Sequence, residues 1–162
     1  MNLIHRWYCR SDGWAKLVQQ YMLPAILKDA ELGDNVLEIG AGPGKTTEWL
    51  MQNVPKLTAV EIDPVLADRL RERLAGTNVT VVQADATDMP FSNSDFSGAV
   101  CFTMLHHVPT AELQDKLFAE VCRYGRGRDT PDPTARPVSA FGSITSRTSA
   151  CRSRRRRWRR GW

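Results

Sequence analysis

Glu38, Gly40, Gly42 and Gly44 stand at alternate positions in the run Val36-Leu37-Glu38-Ile39-Gly40-Ala41-Gly42-Pro43-Gly44-Lys45-Thr46-Thr47. Glycines at this spacing let the main chain come into contact with a bound ligand, and the acid beside them can meet a cation. Glu61 closes a second apolar run, Leu57-Thr58-Ala59-Val60, 21 residues after Gly40. An acid there is placed to accept bonds from ribose hydroxyls. Asp85 closes a third run, Val79 to Ala84. If the three runs are parallel strands, their carboxylates gather in one crevice, because open parallel sheets bind ligands at the carboxyl ends of their strands.

The glycine spacing separates ligand classes. A dinucleotide turn, G-x-G-x-x-G, needs glycine at position 45, which is Lys45. A phosphate loop, G-x-x-x-x-G-K-[ST], finds its end in Gly44-Lys45-Thr46, but its first glycine falls on Ile39. A small nucleotide-binding protein of that kind is therefore the weakest of three readings. Calorimetry with ATP tests it.

The elements that must position these residues are legible. Strands are expected at about 35–39, 57–62, 79–83 and 98–103. Helices are expected at 13–30, 44–53, from Pro64 to about Gly76, and at 111–123. Trp14, Leu17, Val18, Tyr21, Met22, Ala25 and Ile26 give the first helix an apolar face, and Pro24 kinks it. Thr46, Trp49 and Leu50 face inward or toward the ligand in the second. Pro64 opens the third and Gly76 caps it; Val65, Leu66, Leu70 and Leu74 are its apolar stripe. Thr110 caps the fourth, whose buried side is Leu113, Leu117, Phe118 and Val121. Right-handed crossovers then give an α/β fold with a parallel sheet of order 3-2-1-4.

Residues 35–123 resemble the class I S-adenosylmethionine-dependent methyltransferases, a Rossmann-like three-layer sandwich. The resemblance implies that Glu38, Gly40, Gly42 and Gly44 lie under the methionine end of the cofactor S-adenosylmethionine. It implies that Glu61 with Ile62 holds the ribose side, and that Asp85 with Ala86 reads the adenine. Ala59-Val60-Glu61-Ile62-Asp63-Pro64 also looks like the ribosomal RNA adenine dimethyltransferases. Those carry an [ND]-P-P-[YF]-type motif after strand four, which is absent here. Ala99 to Val108, with Asp88-Met89-Pro90-Phe91 before it, resembles the small-molecule branch, including quinone-type C-methyltransferases. The acceptor expected on that basis is a small molecule, not nucleic acid. Methyl transfer from a sulfonium needs orientation and a dry site more than a named catalytic group. No catalytic residue is therefore assigned. His106 and His107 follow strand four and more simply fix their loop than act as a base.

Composition divides the chain. Residues 124–162 hold 11 arginines, no lysine and two aspartates, a net charge of +9; the first 123 residues therefore carry −5. The expected organisation is a helical cover at 1–34, a ligand-binding domain at 35–123 and an Arg-rich tail at 124–162. The family pattern stops after Arg123 in mid-motif, and no strand or periodic helix is legible beyond it. The tail reads as a disordered basic extension, as a nucleic-acid arm, or as out-of-frame translation of GC-rich DNA. The absence of lysine favours the last. A domain lacking its C-terminal strands would be a non-catalytic fragment, which is the alternative to an enzyme. Four scattered cysteines without a C-x-x-C pair argue against a metal site and for free thiols. No apolar run reaches the roughly 20 residues of a bilayer span, and the first residues lack a signal layout. Together these readings point to a cytoplasmic protein away from membranes.

Overall fold

The computed structural model describes residues 12–28 and 30–124, together with the backbone of 138–141 and 144–146. Strands β1 (Asn35–Ile39), β2 (Lys56–Glu61), β3 (Val79–Gln83) and β4 (Gly98–Cys101) are parallel and ordered β3-β2-β1-β4. Register places Ile39 beside Val60 and Cys101, and Glu61 beside Gln83. The carboxyl ends of β1, β2 and β3 thus lie side by side, as the acid-terminated runs required.

Pleating splits each strand between two faces. Val36, Leu57, Val100 and Phe102 pack beneath Val18, Leu23, Leu27 and Leu50. Leu37, Ile39, Val60, Ala99 and Cys101 pack on the other face against Leu117, Val121 and Tyr124. Helix α1 (Asp12–Leu17) leads into this layer; α2 (Leu23–Leu27) and α3 (Lys45–Asn53) cover one face, and α5 (Ala111–Tyr124) covers the other. Helix α4 (Pro64–Arg73) packs through Leu70 and Leu74 on Ala59. These are the three layers expected of a buried parallel sheet. The Asp63 carboxylate caps α4 by accepting from the N–H groups of Val65 and Leu66, with Pro64 in its first turn. The Thr110 hydroxyl accepts from Leu113 N–H at 3.3 Å. The Thr110 cap sits where its residue type placed it, while the Asp63 cap is not among those expected.

The first helix keeps part of the expected face, with Val18 buried and Met22 and Ile26 packed against the same core, but not all of it. Val18–Met22 is a π turn between α1 and α2, closed by Leu23 N–H donating to the Val18 carbonyl. Pro24 follows directly and cannot donate, so the ladder is already interrupted there. The extra residue shifts the periodicity. Val18, Leu23 and Leu27 are buried, whereas Leu17 and Tyr21 are 42% and 66% exposed. In α3, Leu50 is buried and Trp49 packs half-buried against the same core, as expected; Thr47 is buried as well, while Thr46 is only half-buried.

The sheet continues past β4. Strand β5 (Val138–Phe141) pairs parallel with β4, and β6 (Ile144–Ser146) pairs antiparallel with β5. This corrects the expectation that no strand follows Arg123. The interruption by Gly142 and the serines argued against one strand, but two short strands flank it. The rest of the Arg-rich tail lies outside the described residues, as do Trp7, Tyr8, Cys9 and Cys151. Cys101 is a free, buried thiol, while Cys122 is disulfide-bonded, which corrects the free-thiol reading at that position.

Candidate functional site

The β1–α3 turn is built on three left-handed glycines: Gly40, Gly42 and Gly44 have φ of 77°, 54° and 83°. Only glycine adopts these angles without strain. Gly40 and Ala41 donate to the Val60 carbonyl at 2.9 and 3.0 Å, which pins the turn to the end of β2. Gly42 N–H donates to Glu61 Oε2 at 2.7 Å, and Asp63 N–H donates to Glu61 Oε1 at 2.9 Å. The buried Glu61 carboxylate thus ties the glycine turn to the start of α4. Each of its oxygens carries one bond and keeps a lone pair for a further donor.

Glu38 is the stranger residue. It is 2% exposed at the end of β1, and its Oε2 has no partner among the described residues. Its pKa is raised from an ordinary 4.5 to about 7, chiefly by burial; the Thr47 hydroxyl opposes the rise and the negative Glu61 adds to it. Thr47 is itself fully buried, and its Oγ1 also lacks hydrogen-bond geometry to any described partner. The hydroxyl polarises the acid without satisfying it. A buried carboxylate oxygen left open beside a glycine turn is a place for a cationic donor. Cys101, beside Ile39 on the neighbouring strand, is pushed up to about 12 by burial and by the nearby charge of Glu38, so it is an inert thiol rather than a nucleophile.

The remaining expected residues fall around this centre. Ile62 is 62% exposed and Val65 57%, an apolar edge next to Glu61. Asp85 follows β3, and its Oδ1 accepts from both the backbone and the hydroxyl of Thr87 at 2.8 Å. That is an Asx turn, which holds the carboxylate in place and uses one of its oxygens. The Ala86 side chain packs in the core with Val60 and Met89, which leaves only its backbone to a ligand. His106 and His107 lie exposed in a short 3-10 turn, Leu105–His107, with ring centroids 3.9 Å apart.

Two residues of the site escaped sequence reading. Thr47 lies beneath Glu38, and the only signal was its place in the first turn of a helix that follows a glycine turn. Met104 lies over Gly40: a Cβ added at Gly40 would stand 2.8 Å from both Cβ and Cγ of Met104. Met104 follows Thr103, whose φ of 52° is unusual for a β-branched residue. At Gly42, by contrast, an added Cβ would meet nothing within 4 Å. The two glycines should therefore separate in experiment. Gly40→Ala is expected to cost about 2 kcal/mol of stability, from a left-handed alanine that also overpacks Met104. Gly42→Ala should cost about 1 kcal/mol, the left-handed penalty alone, yet lose ligand binding because its methyl enters the open side of the turn. Equal stability losses by chemical denaturation would refute this assignment.

The residues present fit the cofactor that the fold implies. Glu38 would take its ammonium group, and Glu61 would take its ribose hydroxyls. Among the described residues no helix is long and apolar enough to cross a membrane, and no cluster of His, Cys, Asp and Glu could hold a metal.

A family model described as a methyltransferase domain matches residues 36–126, more than half of the chain. A probable ribosomal RNA small subunit methyltransferase A from Methanosarcina barkeri is 38% identical over 103 residues, covering 56% of this chain and 36% of that protein. The chain spans about a third of the length of the curated relatives it matches. Among solved structures, a SAM-dependent methyltransferase from Aquifex aeolicus superposes with a TM-score of 0.63 at 16% identity, covering 86% of this chain and 72% of that one. A SAM-bound amino pentose methyltransferase from Micromonospora echinaspora gives 0.57 at 19% identity, covering 86% and 56%. Identities this low show the shared fold alone. With the sheet order, the glycine turn and its two carboxylates already in place, the domain match is decisive: the chain belongs to the S-adenosylmethionine-dependent methyltransferase family.

Proposed function

We propose that this chain binds S-adenosylmethionine in the crevice at the ends of β1, β2 and β3 and transfers its methyl group to a small-molecule acceptor. The open Oε2 of buried Glu38 beside the glycine turn carries the donor half of this reading. When bound, the donor supplies an activated methyl on a sulfonium. The chain's own residues then have three tasks. Glu38 binds the ammonium, Glu61 orients the ribose while bracing Gly42, and Met104 with the turn after it excludes water over Gly40. Ile62 and Val65 offer the apolar edge for a flat ring, and Asp85 has one carboxylate oxygen free of the Thr87 bonds for an amino group.

For the acceptor, the support is the segment after β4. Thr103-Met104-Leu105-His106-His107 stands where a methylator of base amino groups would present an amide, two prolines and an aromatic ring. Here the segment has no amide and no proline, and its only rings are the two imidazoles. A second reading has its own observation: the curated relatives are named as ribosomal RNA methyltransferases. The two separate cleanly. Given donor with a labelled methyl, the chain should label alcohol-soluble small molecules of a cell extract and leave purified small-subunit ribosomal RNA unlabelled. Label in the RNA alone would overturn the small-molecule reading. Donor binding by calorimetry without any transfer would instead favour a non-catalytic fragment.

A further inference from the structure

The methyl-transfer reading leaves one motif and one cleft unused. Gly44-Lys45-Thr46 ends the glycine turn like a phosphate loop, yet the donor's groups are accounted for by Glu38 and Glu61. On the α4 side of the same turn is an open cleft of about 200 Å³, lined by Gly42, Pro43, Lys45, Leu66, Arg69 and Arg73. Three of these are cationic and none is acidic. Arg73 Nη2 donates to the Pro43 carbonyl at 2.8 Å, so its guanidinium is fixed against the turn. Glu48 is the nearest counter-charge, 3.3 Å from Arg73 and 4.0 Å from Lys45, and it also accepts from Gln19. One carboxylate thus faces two cations, and Arg69 has neither ion pair nor hydrogen bond among the described residues. The neighbouring Arg71 differs, since it is paired with Asp68 and stands outside the cleft.

We propose that the cleft between the glycine turn and α4 is a phosphate-binding site, with Lys45, Arg69 and Arg73 as its ligands, separate from the donor crevice. The surplus of two positive charges in a concave wall is what a phosphate dianion or a phosphodiester backbone requires. The fixed guanidinium of Arg73 supplies directional donors and the unpaired Arg69 supplies reach. The phosphate belongs either to a phosphorylated small molecule or to a nucleic-acid backbone, and the chemistry of recognition is the same.

The test is pyrophosphate titrated into the full chain at fixed ionic strength by calorimetry. Saturable binding is expected. Arg69→Ala and Arg73→Ala should each weaken it about tenfold, and Glu48→Gln should tighten it severalfold by removing the competing carboxylate. Arg71→Ala removes the same charge from the same helix and should leave affinity unchanged, which also controls for binding to the Arg-rich tail. S-adenosylhomocysteine at saturation should not displace the pyrophosphate. Absence of saturable binding, equal losses in Arg69→Ala and Arg71→Ala, or competition with S-adenosylhomocysteine would each overturn the proposal. Glycerol 3-phosphate and a short oligouridylate, compared under the same conditions, identify the source. Whichever loses more affinity in Arg69→Ala is the closer mimic, and a loss for neither counts against the site.

Discussion

Glu38→Gln is expected to stabilise the free protein at pH 8 and to weaken its binding of S-adenosylmethionine, two effects of opposite sign from one atom. The stability effect follows from the raised pKa. The folded carboxyl titrates near 7 and the unfolded one near 4.5. Between these values the folded chain holds the proton and the unfolded chain does not, so stability falls as pH rises through that window. Below about 4.5 both states are protonated and the penalty vanishes. Above 7 it is complete, at about 3 kcal/mol for a shift of this size. Glutamine carries no charge at any pH, so the variant should be more stable by about 1–3 kcal/mol at pH 8, with a flatter profile between pH 5 and 8. Binding moves the other way. A donor ammonium selects the charged carboxylate, so wild-type affinity should rise with pH through 7 and level off above it. The variant should lose about 1.5–3 kcal/mol of affinity, the usual worth of a hydrogen bond to a charged group, and lose that pH dependence. Denaturation and calorimetry at matched pH values decide the question. A variant no more stable than wild type at pH 8 would show that the acid is not held as described.

This combination explains why an enzyme keeps such a residue. An unsatisfied buried acid is a cost that selection for stability alone would remove. A ligand cation repays the cost only when it binds, so the fold is least comfortable where it is most useful.

The same contrast governs what was legible beforehand. The strands, their order and the glycine turn were readable because each is encoded within a few neighbouring residues: an apolar run, an acid, then glycines where φ must be positive. The cap at Thr110 was readable for the same reason. The buried face of the first helix was readable only at Val18, Met22 and Ile26, because a single π turn before Pro24 set Leu23 and Leu27 inward and Leu17 and Tyr21 outward. Periodicity assumes an unbroken helix. Met104 over Gly40 was hidden because it is a contact between loops at the ends of β1 and β4, 64 residues apart in the sequence. The pairing of β5 with β4 was hidden too. Val138-Ser139-Ala140-Phe141 carries little strand signal of its own, and the open edge of β4 supplies the partner that the local sequence does not advertise.

Glu61→Ala is expected to damage the protein twice, and Glu61→Gln should do nearly the same. The Glu61 carboxylate is the common acceptor for Gly42 N–H and Asp63 N–H, at 2.7 and 2.9 Å, and it is 7% exposed. Alanine leaves both N–H groups without their acceptor, at about 1–3 kcal/mol for each that stays buried. Glutamine keeps one carbonyl oxygen but turns an NH₂ group toward the other N–H, so one bond survives and one becomes a clash of donors. Aspartate keeps the charge but is one methylene short, and cannot span both donors from the same backbone position. All three substitutions should lower the denaturation midpoint, alanine most. Loss of S-adenosylmethionine affinity should exceed what unfolding explains, because the ribose hydroxyls lose their acceptor while Gly42 loses its brace. Measured on the folded fraction, the loss should be about 1.5–3 kcal/mol for alanine. The stability term and the binding term can be separated with adenine alone, which lacks the ribose. Its affinity should fall little in Glu61→Ala if Glu61 acts on the ribose, and should fall in parallel with S-adenosylmethionine if Glu61 only holds the turn. Unchanged affinity for S-adenosylmethionine in a folded Glu61→Ala protein would remove Glu61 from the site and leave it as a structural link between the glycine turn and α4.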